Sequence, residues 1–260
     1  MTRSTRLASR FRRWRRGITR RLARVPRAVR IAGIVAIALV TLVLTNLIYH
    51  VIHKPTELFV VMGQRLAKEP AETWRAYGPL FRTYATSAIT PELLAALAQV
   101  ESSGNPVDRT YWRWRWSFNP FAIYRPASSA VGLFQTTDPA YAEVKQFCIR
   151  AHAVTETGCG FGPYLRVIPS HATELASIYL DRHVKAVLNR AGRPAATAQQ
   201  TQDLAAMIHL CGGGPATAHA RRRFQPLAGE KCGDHLVAGY LARVNALKRK
   251  FQQLAAESGT

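Results

Sequence analysis

A glutamate interrupts the apolar stripe of one helical segment, and a glycine turn follows it. Leu93, Leu97 and Glu101 recur at i, i+4 and i+8, so the spacing predicts the Glu101 carboxyl on the face that packs into the core. Burial beside apolar groups raises the pKa of a carboxyl group, and a general acid that works near neutral pH needs a raised pKa. The pattern predicts Glu101 as a general acid; the alternative is a structural carboxylate that is paired with an arginine.

Start and stop signals bound the helix that must position this carboxyl group. Thr90 is a predicted N-cap, Pro91 suits the first helical position, and Glu92 lies in the first turn. Gly104 and the Asn-Pro pair after it should end the helix. Glu101 is therefore expected near the C-terminal end of a short helix.

Two further motifs follow in the chain. The first is Gly132-Leu133-Phe134-Gln135, and the second runs from Ala206 to Gly214 and contains His209. Together with the Glu101-Ser102 pair, these motifs resemble those of the Slt-type lytic transglycosylases, which cut the glycan strands of bacterial peptidoglycan on a lysozyme-like fold. That family carries Glu-Ser, Gly-Leu-Met-Gln and Ala-Tyr-Asn-Ala-Gly in this order. Here Phe134 replaces the methionine, and His209 stands in the place of the tyrosine; the resemblance runs over about residues 89–247.

The resemblance implies a mainly α, lysozyme-like domain and a reaction that uses one carboxyl group. Glu101 would protonate the glycosidic oxygen between MurNAc and GlcNAc while the substrate's N-acetyl group stabilises the cation. The same carboxylate would then take the proton of the muramyl C6 hydroxyl, which closes a 1,6-anhydro ring. No metal or organic cofactor is required, and the partner is the peptidoglycan glycan strand. Some relatives open the wall for a secretion or conjugation machine, so such machinery is a further implied partner.

The resemblance also implies the residues that would contact the glycan. Gln135 should bind substrate, and the neighbouring cleft positions are Gly132, Leu133, Phe134, Tyr179 and His209. Taken alone, the Gly132 motif could also be a turn that enters a buried strand, and Tyr179 could be a core residue. Ser102 could either hydrogen-bond near the carboxyl group or help to end the helix.

A second carboxyl group would change the expected chemistry, because most glycosidases use two. Asp108 and Asp138 are the nearest candidates in sequence. Asp138 precedes Pro139, which is typical of a helix N-cap, and Asp108 lies in an enlarged loop, where solvated acids are common. If either faced Glu101, hydrolysis by a muramidase would become the expected reaction. A third class is a non-catalytic glycan-binding or scaffold protein on the same fold.

The enlarged loop carries alternating aromatic and cationic residues from Tyr111 to Trp116. This alternation predicts a short strand with one aromatic face and one cationic face. Aromatic rings stack on sugars and arginines pair with carboxylates, which favours a glycan-binding wall. The same residue types also pack a loop onto a domain or lie at a membrane interface. These alternatives remain open at the level of sequence.

The N-terminal part of the chain has the composition of a membrane anchor. Residues 1–30 contain twelve arginines and no acid, and the following stretch, from Ile31 to Ile52, has no charged residue. About 20 apolar residues cross a bilayer as a helix, and the positive-inside rule predicts that the basic tail stays in the cytoplasm. The remainder would be exported from the inner membrane into the periplasm. A cleaved signal peptide has a similar layout, but the run is long and lacks a small-x-small cleavage site.

The charge balance of the exported part favours an anionic partner. Of the 36 Lys and Arg residues, 24 follow the tail, against 15 acids, which leaves a net charge of +9. Peptidoglycan and anionic lipid both fit this charge. Nucleic acid is not expected, because no DNA- or RNA-binding motif is present.

Four cysteines follow the apolar stretch, and an even number in an exported segment predicts disulfides. Three pairings are possible, and the sequence does not choose among them; the expected one, which closes the shortest loops, joins Cys148 to Cys159 and Cys211 to Cys232. Paired Cys-x-x-Cys or His spacing is absent from the sequence, so a zinc site is not expected.

The predicted order of the chain is a basic tail over 1–30, a transmembrane helix over 31–52, a helical linker over 53–85 and the catalytic domain over 86–256. Within the domain, helical spacing predicts helices over about 170–188, over 201–211 up to a run of three glycines, and from about Leu236 to the C-terminal region.

Overall fold

The computed structural model describes residues 25–61, 63–157, 159, 165–193 and 195–258. Most of the basic tail predicted over 1–30 therefore lies outside the described residues. The described chain is mainly helical, with eight α-helices and three short two-stranded sheets. It divides into two compact units, one formed by residues up to Pro55 together with Trp114–Arg125, the other by Thr56–Arg113 and Pro126–Thr260.

The first unit contains helix α1, Arg27–His53, and the aromatic loop, defined here as residues 114–125. The most apolar 18-residue stretch of helix α1 has a mean hydropathy of 2.5, and the helix is long and apolar enough to cross a membrane. The predicted short strand is confirmed as β1, Trp112–Trp114, which pairs with β2, Tyr124–Pro126, and a 3₁₀ turn, Pro120–Ala122, lies between them.

The second unit is built from seven α-helices among the described residues, preceded by 3₁₀ turns over Pro55–Val61 and Gly63–Leu66. The helices are α2 Pro70–Thr83, α3 Pro91–Ser102, α4 Asp138–Val144, α5 Pro169–Ala191, α6 Ala198–Cys211, α7 Gly213–Arg221 and α8 Val237–Ser258. The predictions of helices at α3, α5, α6 and α8 are confirmed. The run of glycines does end α6, but Gly212 alone breaks it, with φ of 77°, and α7 begins at the next residue.

Helix α3 begins and ends where its sequence signals predict. The Thr90 hydroxyl accepts a hydrogen bond from the Leu93 N–H, and Pro91 occupies the first helical position. Ser103 adopts the left-handed conformation at φ 51° and closes the helix. These two ends place Glu101 in the last turn, where its side chain can leave the packed part of the helix.

Helix α3 lies at the centre of the core of the second unit. Its residues from Leu93 to Ala98 are buried, and it packs against α2 and α8. Helix α2, which the sequence assigns to a linker, contributes Trp74, Tyr77 and Phe81 to this core. Burial of each such side chain stabilises the fold by about 1.5–3 kcal/mol. Glu101 therefore extends from one of the most firmly held helices of the unit.

Two hairpins and two disulfides complete the unit. Strand β3, Cys148–Arg150, pairs antiparallel with β4, Ala153–Thr155, and β5, Lys231–Cys232, pairs with β6, His235–Leu236. Cys148 is bonded to Cys159, and Cys211 is bonded to Cys232, so the predicted pairing is confirmed. The second bond joins the end of α6 to the hairpin that precedes α8.

Candidate active site

The Glu101 carboxyl lines a cavity of about 340 Å³ in the second unit. Its side chain is 19% exposed, so the group is mostly buried but reaches the cavity. The other lining residues come from the loop after α3, from the Gly132 motif and from helices α4 to α6; they are Thr110, Ala130, Gln135, Thr136, Thr137, Ala140, Leu175, Ala176, Tyr179, His209 and Leu210. A volume of this size lies within the range of small-ligand sites.

Tyr240 on α8 makes the shortest polar contact with this carboxyl group. Its hydroxyl donates a 2.6 Å hydrogen bond to Glu101 Oε1. Burial and the nearby negative charge of Glu101 both raise the pKa of Tyr240, so the phenol keeps its proton and remains a donor. Tyr240, which lies in the helix predicted from about Leu236, is not among the site residues that the sequence predicts. The signal that could have identified it is that a buried tyrosine needs a hydrogen-bond partner for its hydroxyl.

His209 on α6 is the second polar neighbour of Glu101. Its Nε2 lies 3.6 Å from Glu101 Oε1, a distance at which a protonated imidazole forms an ion pair. The side chain is 14% exposed and lines the same cavity. The two sequence motifs that contain Glu101 and His209 are thus brought together at one site.

The pKa of Glu101 differs from the sequence-based expectation. Burial does raise the pKa, as expected, but the attraction of a protonated His209 and the hydrogen bonds from His209 and Tyr240 outweigh burial. The more distant His235 adds to the lowering. The net direction of the pKa shift is downward, which favours the carboxylate form of Glu101 at neutral pH. The prediction of a raised pKa was wrong because spacing along one helix does not reveal donors from two others.

The Gly132 motif forms a tight turn beside the cavity. Val131 and Thr136 exchange backbone hydrogen bonds across its base, and Gly132 has a φ of 82°. A Cβ at this position would overlap the Arg166 carbonyl oxygen, so only glycine fits here. Leu133 and Phe134 are fully buried and line no part of the cavity. Their side chains anchor the turn in the core, so the expected cleft positions of Leu133 and Phe134 are not found there.

Gln135 is the member of this motif whose side chain reaches the cavity. It has a φ of 45°, and its amide Nε2 lies 3.1 Å from Asp108 O and 3.0 Å from Gly132 O. The NH₂ group therefore holds the turn against the loop after α3. This geometry directs the polar end of Gln135 to the rim of the site.

Ser102 is buried between α3 and the turn. Its hydroxyl lies 3.0 Å from Ala98 O and 2.9 Å from Leu133 O, and it can donate a hydrogen bond to either carbonyl oxygen. The residue lies outside the cavity lining and links the helix that carries Glu101 to the Gly132 motif. Its contacts are those of a positioning residue.

Tyr179 on α5 lines the cavity opposite the polar cluster, half-buried against the ring of His183 at a centroid distance of 4.2 Å. Burial, followed by the charge of Glu143, raises the pKa of its hydroxyl. A neutral phenol beside apolar Leu175 and Ala176 forms an amphipathic wall, which suits the face of a sugar ring.

Neither candidate for a second carboxyl group lines the cavity. Asp138 forms an ion pair with Arg166 and is largely exposed. Thr137 is the N-cap of α4, since its hydroxyl accepts from the Ala140 N–H, so the N-cap prediction for Asp138 was wrong by one residue. Asp108 contacts the site through its backbone carbonyl, which accepts from Gln135. Among the described residues that line the cavity, Glu101 is the single acid.

The other buried acids of the second unit have structural partners. Glu174 accepts a hydrogen bond from the Ile149 N–H, and Asp181 accepts from the Thr86 hydroxyl and from Lys185. Glu57 forms an ion pair with Arg109. Within the described residues, groups of His, Cys, Asp and Glu that could hold a metal ion were not found.

The described chain is mainly helical, and one carboxyl group of its cavity is held between a phenol and an imidazole. Comparison with models of known protein families, with curated proteins and with solved structures gives no match.

Proposed function

We propose that the second unit is a lytic transglycosylase of the Slt type on a lysozyme-like fold, which cleaves the bond between MurNAc and GlcNAc in peptidoglycan. The observation that carries the proposal is Glu101 itself. It is a single mostly buried carboxyl group, it opens onto a cavity, and it has two polar partners that can change its protonation. The order of the three sequence motifs supports the same assignment.

The first chemical step is the protonation of the glycosidic oxygen by Glu101. The C1–O bond of MurNAc breaks, its electron pair goes to the departing GlcNAc oxygen, and the substrate's N-acetyl group stabilises the cation at C1. A glycan in the cavity displaces water, which increases the effect of burial on Glu101. This change raises the pKa of Glu101 towards the value that a general acid needs.

The second step uses the same group as a base. The Glu101 carboxylate accepts the proton of the muramyl C6 hydroxyl while the C6 oxygen forms a bond to C1, which closes the 1,6-anhydro ring and restores the protonated acid. Water is not a reactant, so a second carboxyl group is not required. Tyr240 keeps the carboxylate in one orientation through both steps, because its hydrogen bond is strongest when Glu101 is charged.

Substrate binding combines an apolar wall with a polar rim. Leu175, Ala176 and Tyr179 supply surface for sugar rings, and Gln135 lies at the rim, where it can meet amide and hydroxyl groups. The excess of basic residues after the tail suits the lactyl and peptide carboxylates of the wall.

We further propose that α1 spans the inner membrane once, with the basic tail in the cytoplasm and the second unit in the periplasm. The length and hydropathy of α1 and the arginine-rich flank support this orientation. The two disulfides support an oxidising compartment. A reporter fused after Thr260 should be active only outside the cytoplasm; activity inside would overturn the orientation.

Digestion of purified sacculi with the full chain tests the reaction. The wild type should release muropeptides that end in anhydro-MurNAc, and Glu101→Gln should release none, as followed by mass spectrometry. Glu92→Gln is the matched control, because Glu92 lies on the same helix and outside the cavity, and it should retain activity. Products with reducing ends and without anhydro-MurNAc would make the enzyme a muramidase and overturn the transglycosylase assignment.

One observation favours a second candidate, a glycan-binding protein without activity. The lowered pKa of Glu101 is what a permanent carboxylate paired with His209 would show. In that case the wild type and Glu101→Gln would both pellet with sacculi, and neither would release muropeptides.

A further inference from the structure

The aromatic loop of the first unit exposes large apolar side chains. Trp114 is 65% exposed, while Trp116 and Phe118 are as exposed as in an extended chain, at 105% and 110%. Trp116 lies next to Arg115, and both border an apolar groove of about 360 Å³ with Trp114 and Ile123. Aromatic rings grouped in this way on a surface mark an interaction site.

The same loop is held against helix α1. Asn46 Nδ2 donates a 3.0 Å hydrogen bond to Pro120 O, and His50 Nε2 lies 2.9 Å from Phe121 O. The rings of Tyr49 and Phe121 stack at a centroid distance of 4.3 Å. Asn46, the one carboxamide of this apolar helix, is 2% exposed because the loop covers it.

These contacts lie within the apolar part of α1. Asn46 is about 10 Å along the helix axis from its end at His53, at 1.5 Å per residue. A groove of about 470 Å³ continues further from that end; its walls are Pro120 and Phe121 of the loop and Ala38, Thr41, Leu42, Thr45 and Asn46 of the helix. The loop therefore reaches a depth at which α1 would be surrounded by acyl chains.

Irregular backbone at membrane depth needs a hydrogen-bond partner for each polar group, because lipid supplies none. Several backbone groups of the aromatic loop find hydrogen-bond partners within the loop itself. Asn119 accepts from the Phe121 N–H through its side chain and from the Ala122 N–H through its backbone, and Ile123 O accepts from the Arg115 N–H. At the tip of the loop, the carbonyl oxygens of Pro120 and Phe121 have their partners on α1, which are Asn46 and His50.

We propose that the aromatic loop is a membrane-seated element that inserts Trp116 and Phe118 among the acyl chains of the leaflet at the C-terminal end of α1. Arg115 and Arg125 then face phospholipid phosphates at the interface, as arginines beside apolar segments do. The occupant of the groove between the loop and α1 is phospholipid, because its walls include Ala38, Thr41, Leu42 and Thr45 of the apolar surface of α1. This inference rests on the proposed spanning of the membrane by α1.

Tryptophan quenching in vesicles tests the insertion with the full chain. A variant that keeps Trp116 alone has the other four tryptophans replaced by phenylalanine, at Trp14, Trp74, Trp112 and Trp114. In phosphatidylethanolamine and phosphatidylglycerol vesicles with brominated acyl chains, Trp116 emission should fall about twofold or more. A variant that keeps only the buried Trp74 should be unaffected. Phe118→Trp in a background without other tryptophans is a second reporter and should be quenched in the same way.

Leu42→Trp as the sole tryptophan separates the two ways to fail. If Leu42→Trp is quenched and neither Trp116 nor Phe118→Trp is, α1 spans the bilayer and the loop proposal is wrong. If Leu42→Trp also escapes quenching, the spanning helix and the loop proposal both fail, while the sacculus assay still stands. A glycan-dependent change in Trp116 emission in detergent, with no quenching in vesicles, would assign the loop to the wall instead.

Discussion

Tyr240 on α8 donates a 2.6 Å hydrogen bond to Glu101 at the end of α3, across 139 positions of the chain. His209 Nε2 on α6 lies 3.6 Å from the same oxygen. The protonation of this carboxyl group therefore depends on side chains from three helices, α3, α6 and α8. The proposed acid and base roles of Glu101 both depend on this arrangement, and each contact can be changed separately.

Tyr240→Phe should raise the pKa of Glu101, because the charged carboxylate loses its closest donor. The raised pKa should move the alkaline limb of the pH profile upwards. Loss of the hydrogen bond that orients the carboxyl group, worth about 1.5–3 kcal/mol, should lower kcat for sacculus solubilisation about tenfold or more. The pH profile of kcat reports the pKa change. Tyr77→Phe is the control, since Tyr77 is buried in the same core on α2 and lies outside the cavity. An unchanged kcat and pH profile in Tyr240→Phe would contradict the proposed role.

His209→Gln should shift the alkaline limb of the pH profile upwards. The protonated imidazole lowers the pKa of Glu101, so its removal raises that pKa. The first step needs protonated Glu101, and activity is lost as the pH rises through this pKa; a higher pKa therefore extends activity to higher pH. His235→Gln should produce a smaller shift in the same direction, because His235 is the weakest of the groups that lower the pKa. A shift towards acid pH would exclude this coupling.

Ser102→Ala should act on stability more than on substrate binding. The hydroxyl joins α3 to the Gly132 motif through Leu133 O and lies outside the cavity. Loss of this hydrogen bond should lower the free energy of unfolding by about 1 kcal/mol, with KM unchanged. Ser87→Ala, at an exposed site, should leave both unchanged. A raised KM at normal stability would instead place Ser102 among the substrate contacts.

Gly132→Ala should destabilise the second unit by about 2 kcal/mol or more. The position combines a φ of 82° with an overlap between the added Cβ and Arg166 O. Gly239→Ala is the opposite case, because Gly239 is exposed on α8 and its added Cβ would lie 3.9 Å from the nearest side chain. It should be neutral or stabilising by up to about 1 kcal/mol. Urea unfolding measures both, and equal losses would argue against strain at Gly132.

Removal of the Cys211–Cys232 bond by a double change to serine should lower the free energy of unfolding by about 3 kcal/mol, the value for a loop of this length. Activity should fall as well, since the bond joins the helix of His209 to the hairpin before Tyr240. The double serine variant at Cys148 and Cys159 is the matched control, because it removes a disulfide from β3 and its neighbouring loop. Equal activity losses in both variants would show that the site does not depend on this particular bond.

The sequence by itself determined the local features of the site. Thr90, Pro91 and the glycine turn set the ends of α3, because capping and backbone conformation depend on adjacent residues. The alternation at Trp112 to Trp114 marked a short strand, whereas the sequence left three disulfide pairings open and the structure selected the one with the shortest loops. The helix ends and the strand come from interactions between residues that are near each other in the chain, so a short stretch of sequence is enough to predict them.

The tertiary structure decided the chemistry of Glu101. Spacing on α3 predicted a buried carboxyl group with a raised pKa, but Tyr240 and His209 reach it from α8 and α6 and reverse the direction. The structure also shows that Leu133 and Phe134, which were expected to line the cleft, are buried in the core. It further shows that the aromatic loop lies against α1. A pKa and a cavity wall depend on groups that are close in space, and no periodicity along one segment records which distant residues those will be.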